Sequence, residues 1–192
     1  MQKRKLAKLE IDNNQLSGKI LSDLLGIVPM QKLHLVKNKL NDQQVEPLAA
    51  SLSKSRDLKS VYMSHNFISN EALGILSDAI ALNVGIEELS LTHNDLSMPN
   101  GIKLIRALKN MPSLQKLSLN SCMLDCDLLE ELSKSLELNE VLTDLNLYSN
   151  DINSEGAKVI AQMLKNKVNM KSLGLSNNYI GHGGAREIAQ TC

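Results

Sequence analysis

Leu142-Thr143-Asp144-Leu145-Asn146-Leu147-Tyr148-Ser149-Asn150-Asp151-Ile152 is one copy of a frame, Leu-x-x-Leu-x-Leu-x-x-Asn-x-Leu, that recurs along the whole chain. Counting from Asn66 in steps of 28 residues reaches Asn94, Cys122, Asn150 and Asn178. A fixed period of this length marks a solenoid built from stacked units. Seven copies can be followed. They run Leu6 to Leu16, Met30 to Leu40 with Asn38 in the asparagine position, Leu58 to Ile68, Ile86 to Leu96, Leu114 to Leu124, Leu142 to Ile152 and Met170 to Ile180. The first step is irregular: Leu9 to Leu33 is 24 residues, whereas Val61 to Leu89 is 28. The first convex segment is therefore expected to be poorly helical or partly open.

Each Leu-x-Leu core alternates with period two, so its leucines point into the stack and the intervening residues point out of a short strand. Parallel strands need a long crossover, usually a helix, and the second half of each repeat is patterned for one. Val45, Leu48, Ala49 and Leu52 stand at i, i+3, i+4 and i+7, and the same stripe recurs at Leu73, Leu76, Ser77 and Ile80, at Gly101, Leu104, Ile105 and Leu108, and onward. Asn41, Ser69, Ser97, Asp125, Asn153 and Gly181 form one column just before the stripes, and all are favoured helix-cap types. Helices are about 10 Å across and strands stack at about 4.8 Å, so the stack must bend with its strands on the concave side.

This frame resembles the ribonuclease-inhibitor type of leucine-rich repeat from Leu6 to about Ala189, with Gly156-Ala157 and Gly184-Ala185 as helix openings. The resemblance implies an α/β horseshoe with parallel strands inside and helices outside. Ribonuclease inhibitor, the sensor regions of NOD-like receptors and the activator of the Ran GTPase carry this repeat type, as do scaffold proteins including ciliary ones. Residues 1–192 are read as a single repeat domain. Neither end carries a polar capping unit and Cys192 falls inside the seventh helical stretch, so a longer parent chain, or end-to-end contacts through uncapped repeats, is expected.

Leucine supplies 35 of the 192 residues while Phe, Tyr and Trp together supply four, which makes the core an aliphatic stack. Formal net charge is zero, so the electrostatic footprint of a nucleic-acid binder is missing. Met1-Gln2-Lys3-Arg4-Lys5 is not followed by an apolar leader segment, and no run approaches the length of a membrane span. Three cysteines, an odd number, argue against a disulfide framework and for an intracellular setting, cytoplasmic in the first instance, with cytoskeletal, ciliary or nuclear association open. Cys122 and Cys126 have a metal-like spacing, but Cys122 occupies the asparagine column, where a small group able to bond the loop backbone is required. Asn38, Asn66, Asn94, Cys122, Asn150 and Asn178 are thus expected to form a structural ladder.

His65 and His93 share a column on adjacent repeats, and Glu88 is the nearest third ligand by position. Two imidazoles are half a zinc site, so a loop edge or a partner contact is the better reading. Gly181-His182-Gly183-Gly184 lacks the Lys-Ser/Thr of a phosphate loop and reads as a local cap. Asp125, Asp127, Glu130 and Glu131 read as a solvated first turn. Ser51 to Ser55 and Ser118 to Ser121 have no base in register, and no catalytic, cofactor or metal constellation is assembled.

The reading is a non-catalytic scaffold that binds another protein through its concave face and adjacent loops. Alternatives are a regulator of a small GTPase, of the activating type, and a sensor or inhibitor module of a larger receptor. Large outward side chains gather in repeats two to four. His34, Val36, Tyr62, His65, Phe67 and His93, with Tyr148 further along, are the expected partner-binding residues, because aromatics bury much area at little rotamer cost. The competing expectation places Phe67 inward between loops with the histidines merely solvated.

Overall fold

Alternating segments become strands and the apolar stripes between them become helices, in strict succession. The computed structural model describes residues 6–14, 16, 18–27 and 29–191. The elements are β1 (Leu6–Glu10), α1 (Gly18–Ile27), β2 (Met30–His34), α2 (Asp42–Leu52), β3 (Ser60–Tyr62), α3 (Asn70–Ala81), β4 (Glu88–Ser90), α4 (Pro99–Ala107), β5 (Lys116–Ser118), α5 (Cys126–Ser135), β6 (Asp144–Asn146), α6 (Ser154–Leu164), β7 (Ser172–Gly174) and α7 (Gly181–Ala189). The strands form one parallel sheet in chain order, open at both edges. Leu33, Val61, Leu89, Leu117, Leu145 and Leu173 are partners across it, the one register that puts every inward leucine on the same face. Leu35, Met63, Leu91, Leu119 and Leu147 follow two positions on and are fully buried. Against them pack the helix stripes, including Val45, Leu48, Leu73, Leu76, Leu104 and Ile160. Each fully buried leucine contributes roughly 1.5–3 kcal/mol by area transfer. With thick helices on one side and thin strands on the other, the ribbon curves with the strands inside.

Three expectations are corrected. The first convex segment is a regular ten-residue helix, α1. The missing residues come out of its return instead: α1 reaches β2 across positions 28–29, whereas α3 reaches β4 across 82–87. In the cap column, Asn41, Ser69, Asp125 and Asn153 cap their helices, each accepting a first-turn amide. Ser97 and Gly181 do not. Asp95 takes both the amide and the hydroxyl of Ser97, at 2.9 and 2.6 Å. α4 then starts one residue late on Pro99, which needs no amide partner there. Its backbone is so close to the preceding loop that a Cβ on Gly101 would lie 1.9 Å from the Leu96 carbonyl oxygen. Gly181 sits inside α7 with a left-handed φ of 58°, and the preceding position is Ile180 without a side-chain bond. Lastly, α7 closes at Ala189, with the Gln190 amide donating to Arg186 and Ile188, ahead of Cys192. Cys192 itself and the Met1–Lys5 opening lie outside the described residues.

Beyond the strands the chain must turn sharply while still pairing with its neighbours. The residue before each ladder position, namely Asn13, Lys37, His65, His93, Ser121, Ser149 and Asn177, is left-handed, with φ between 51° and 58°. For a residue with a Cβ this costs about 1–2 kcal/mol. Asparagine side chains hold the turn in place. The Asn66 amide nitrogen Nδ2 donates to the Leu35 and Met63 carbonyls, and its Oδ1 accepts from the backbone amide of Asn38 at 2.7 Å. Asn94, Asn150 and Asn178 repeat the pattern, each bridging two successive repeats. At Cys122 the run changes: the thiol faces the Leu91 and Asn120 carbonyls at 3.4 Å. The amide of Leu96 bonds the Cys122 backbone carbonyl, where Ile68, Leu124 and Ile152 bond an asparagine Oδ1. Burial pushes the Cys122 thiol up to about 12, so it stays protonated and serves as a donor.

A second, shorter ladder ties the loops at the other end of the helices. Asn83 donates to Leu52 and Asn139 to Leu114, and in the same column Lys167 is buried with its ammonium donating to the carbonyls of Leu136, Glu137 and Asn139. Burial holds the Lys167 pKa below its ordinary 10.5, against the pull of Glu137 and Glu140.

Asn94→Ala removes two donors and the acceptor for Asn66 and Ile68, and is expected to cost about 1–3 kcal/mol. Cys122→Ala, losing only weak sulfur bonds, should cost less; an Asn94→Ala urea midpoint equal to wild type contradicts the ladder. Lys167→Met should lower stability at neutral pH by on the order of 1 kcal/mol through the lost side-chain donor, read as a lower urea midpoint. Between the depressed folded pKa and 10.5 the unfolded chain holds a proton that the folded chain has released, so stability rises with pH there. Wild type should therefore gain on Lys167→Met as pH rises through that window and stay parallel to it near neutrality.

Candidate functional site

Strand pleating turns Lys32, Ser60, Glu88 and Lys116 outward as one row, and His34, Tyr62, Ser90 and Ser118 as the next. Ser60 is small and buried, so the long Lys32 side chain reaches over it from β2 toward β4. Glu88 becomes the hub. Lys32 Nζ lies 3.7 Å and Lys116 Nζ 3.4 Å from its carboxylate, and the Tyr62 hydroxyl donates a hydrogen bond to it. Burial raises the Glu88 pKa, but the Tyr62 bond and the two lysine charges outweigh it and leave the group below the usual carboxylate value. Tyr62 moves the other way, to about 12, through burial and then the Glu88 bond. Its phenol remains a donor at any ordinary pH.

The His34 ring stacks on Tyr62 with centroids 4.2 Å apart and an interplanar angle of 28°. Burial and then the Lys8 charge hold His34 below 6.5, opposed by Glu10 and Asp12. Glu10 pairs with Lys8 at 2.5 Å and stands 3.7 Å from His34 Nδ1. His34, Tyr62 and Glu88 therefore form one fixed, half-buried surface across β2 to β4. His65 and His93 form a second stack at the loop edge, 3.9 Å apart and tilted by 21°. Burial, the neighbouring His93 and Lys37 all lower the His65 pKa, so at neutral pH that ring is a neutral contact surface.

The remaining expected positions are placed less compactly. Val36 is half-buried beside His34, and Phe67 is 82% exposed on a left-handed residue, which overturns the inward packing between loops. Tyr148 lies in the next outward row of the sixth repeat, separate from the Tyr62 surface, where its hydroxyl accepts from Asn177 at 2.6 Å. Glu88 is engaged by Tyr62 and the lysines, in a different row from the histidine pair. Among the described residues no three His, Cys, Asp or Glu side chains converge as a metal group, and no helix is long and apolar enough to cross a membrane. Sequence reasoning missed the Lys32–Glu88–Lys116 row. Its signal was opposite charge in one outward column at 28-residue spacing.

Comparisons with known proteins agree with this geometry. The "Leucine Rich repeat" family model matches residues 138–161, the stretch that includes the whole sixth frame. Human "NACHT, LRR and PYD domains-containing protein 13" is 33% identical over 166 residues, covering 83% of this chain and 16% of that protein. Mouse ribonuclease inhibitor is 29% identical over 164 residues, covering 84% of this chain and 36% of the inhibitor. This chain thus spans about a sixth and about a third of those two relatives. Among solved structures, the tropomodulin C-terminal domain of Caenorhabditis elegans superposes with a TM-score of 0.62 at 21% identity, over 77% of this chain and 90% of that domain, a likeness of fold. Period, parallel sheet, asparagine ladder and relatives agree: the chain is a leucine-rich repeat solenoid of the ribonuclease-inhibitor type.

Proposed function

We propose that this chain is a non-catalytic interaction scaffold that binds another protein on its strand face, centred on His34, Tyr62 and Glu88. Val36, His65, Phe67 and His93 flank that centre, and Tyr148 offers a separate contact. The observation that carries the reading is the fixing of Tyr62, whose ring is held by His34 and whose hydroxyl is held by Glu88. An aromatic ordered before binding loses little rotamer freedom on contact, and such anchors dominate interface energetics. The single continuous sheet supports reading residues 1–192 as one domain. Buried Cys122 and half-buried Cys126, both free thiols, support an intracellular setting.

A sensor or inhibitor module is the second reading. The similarity to a NACHT, LRR and PYD domains-containing protein and to ribonuclease inhibitor supports it.

Affinity capture with cross-linking would supply a partner, and its affinity for purified variants is the test. Tyr62→Ala combined with His34→Ala should weaken binding at least tenfold, about 1.4 kcal/mol, with the urea midpoint little changed. Unchanged affinity in the double variant, together with a loss on Tyr148→Ala or on changing the convex Lys158 and Lys165, would place the interface elsewhere.

A further inference from the structure

Three large apolar side chains stand exposed on the loops that leave the strands: Phe67 at 82%, Met123 at 55% and Tyr179 at 72%. They occupy one column, the position after the ladder residue, in alternate repeats. Asp95 and Asp151 fill the repeats between them. A row of large apolar groups turned into water contributes nothing to the core, and exposed apolar surface of this kind marks contact sites.

At the far end of this row the surface is concave. Met123, Asp151 and Tyr179, with Ser149, Asn177 and His93, line an open cleft of about 320 Å³. Asp95 is occupied by Ser97, but the exposed Asp151 carboxylate makes no hydrogen bond or ion pair among the described residues. Met123 and Tyr179 are two repeats apart, on the order of 10 Å at strand spacing, with Asp151 in the repeat between.

We propose that this cleft receives an arginine side chain of a protein partner, its guanidinium lying between Met123 and Tyr179 and pairing with Asp151. The chemistry of the lining selects that group. A carboxylate meets the guanidinium fork through two parallel hydrogen bonds, a tyrosine face attracts a cation, and a thioether packs against a flat polarizable plane. Lysine offers a compact, strongly hydrated point charge that can pair with the carboxylate and face the tyrosine ring, but it has neither the two-bond fork nor a flat plane for the thioether. The site rests on the reading of a protein partner; Met123, Asp151 and Tyr179 lie in repeats five to seven, and the cleft meets the surface of repeats two to four only through His93.

The test is a methionine-methyl NMR titration of the full chain with N-acetyl-arginine amide, and with the corresponding lysine and citrulline amides. Met123→Leu assigns the Met123 signal. The arginine compound should shift Met123 saturably, at least fivefold more tightly than the lysine compound, and citrulline should shift it negligibly. Asp151→Asn should abolish the response and Asp151→Glu should retain it, with the other methionine signals unmoved. Equal responses to arginine and citrulline, equal affinities for arginine and lysine, an undiminished titration in Asp151→Asn, or no movement of Met123 would each overturn the proposal. Since the reagent is a single blocked amino acid, this result is independent of the partner-affinity test on Tyr62 and His34.

Discussion

Everything in this molecule depends on a backbone that must turn through a left-handed residue just before the ladder position of every repeat without losing its bonds to the next. Parallel strands of three residues, such as β3 to β7, cannot by themselves hold a register. The asparagine one place after the left-handed residue does so by donating to carbonyls of two successive repeats and accepting an amide from the earlier one. Repulsive local geometry and attractive side-chain bonding thus occur at adjacent residues, and each repeat depends on its neighbour to satisfy both. That coupling is what makes the leucine columns line up. Once they do, the aliphatic core follows.

The same register builds the outward surface. Because every strand ends at the same place in the frame, outward residues fall into rows, and side chains interact along and diagonally across the rows. Exposed ion pairs of the Lys8–Glu10 kind are worth little each, so their role is to orient groups and not to stabilise the fold. Glu88 is different: partly buried, with a phenol and two ammonium groups around it, it fixes Tyr62 in one pose. Alternation between Phe67, Met123 and Tyr179 and the intervening aspartates is likewise a product of register, since only a strict period can place them along one edge.

Much of the fold was legible because it is periodic. Leu33 through Leu173, the helix stripes and four of the six cap residues could be placed by counting, since burial and capping act on single positions. The failures were at positions where neighbours compete. Ser97 is a good cap type, but Asp95 two residues earlier captures it, and Pro99 then shifts the start of α4. The 24-residue first step shortens the return from α1 and spares the helix, because helical hydrogen bonds are lost together while a loop can shrink. Tyr62 and His34 could be named from their columns, yet the role of Glu88 could not. It requires knowing that Ser60 is short enough for Lys32 to pass over and that Tyr62 leans diagonally toward the next strand.

Amide hydrogen exchange on the unmodified chain tests the ladder most directly. The backbone amides of Asn66, Cys122 and Asn150 sit in surface loops, yet each donates to the side chain of the next ladder residue. They should exchange as slowly as the amides of Leu91 and Leu119, which pair with the carbonyls of Ser118 and Asn146 along the sheet. Exchange of the three ladder amides at rates typical of solvated loops, with Leu91 and Leu119 still protected, would show that the turns are held by something other than the asparagine column.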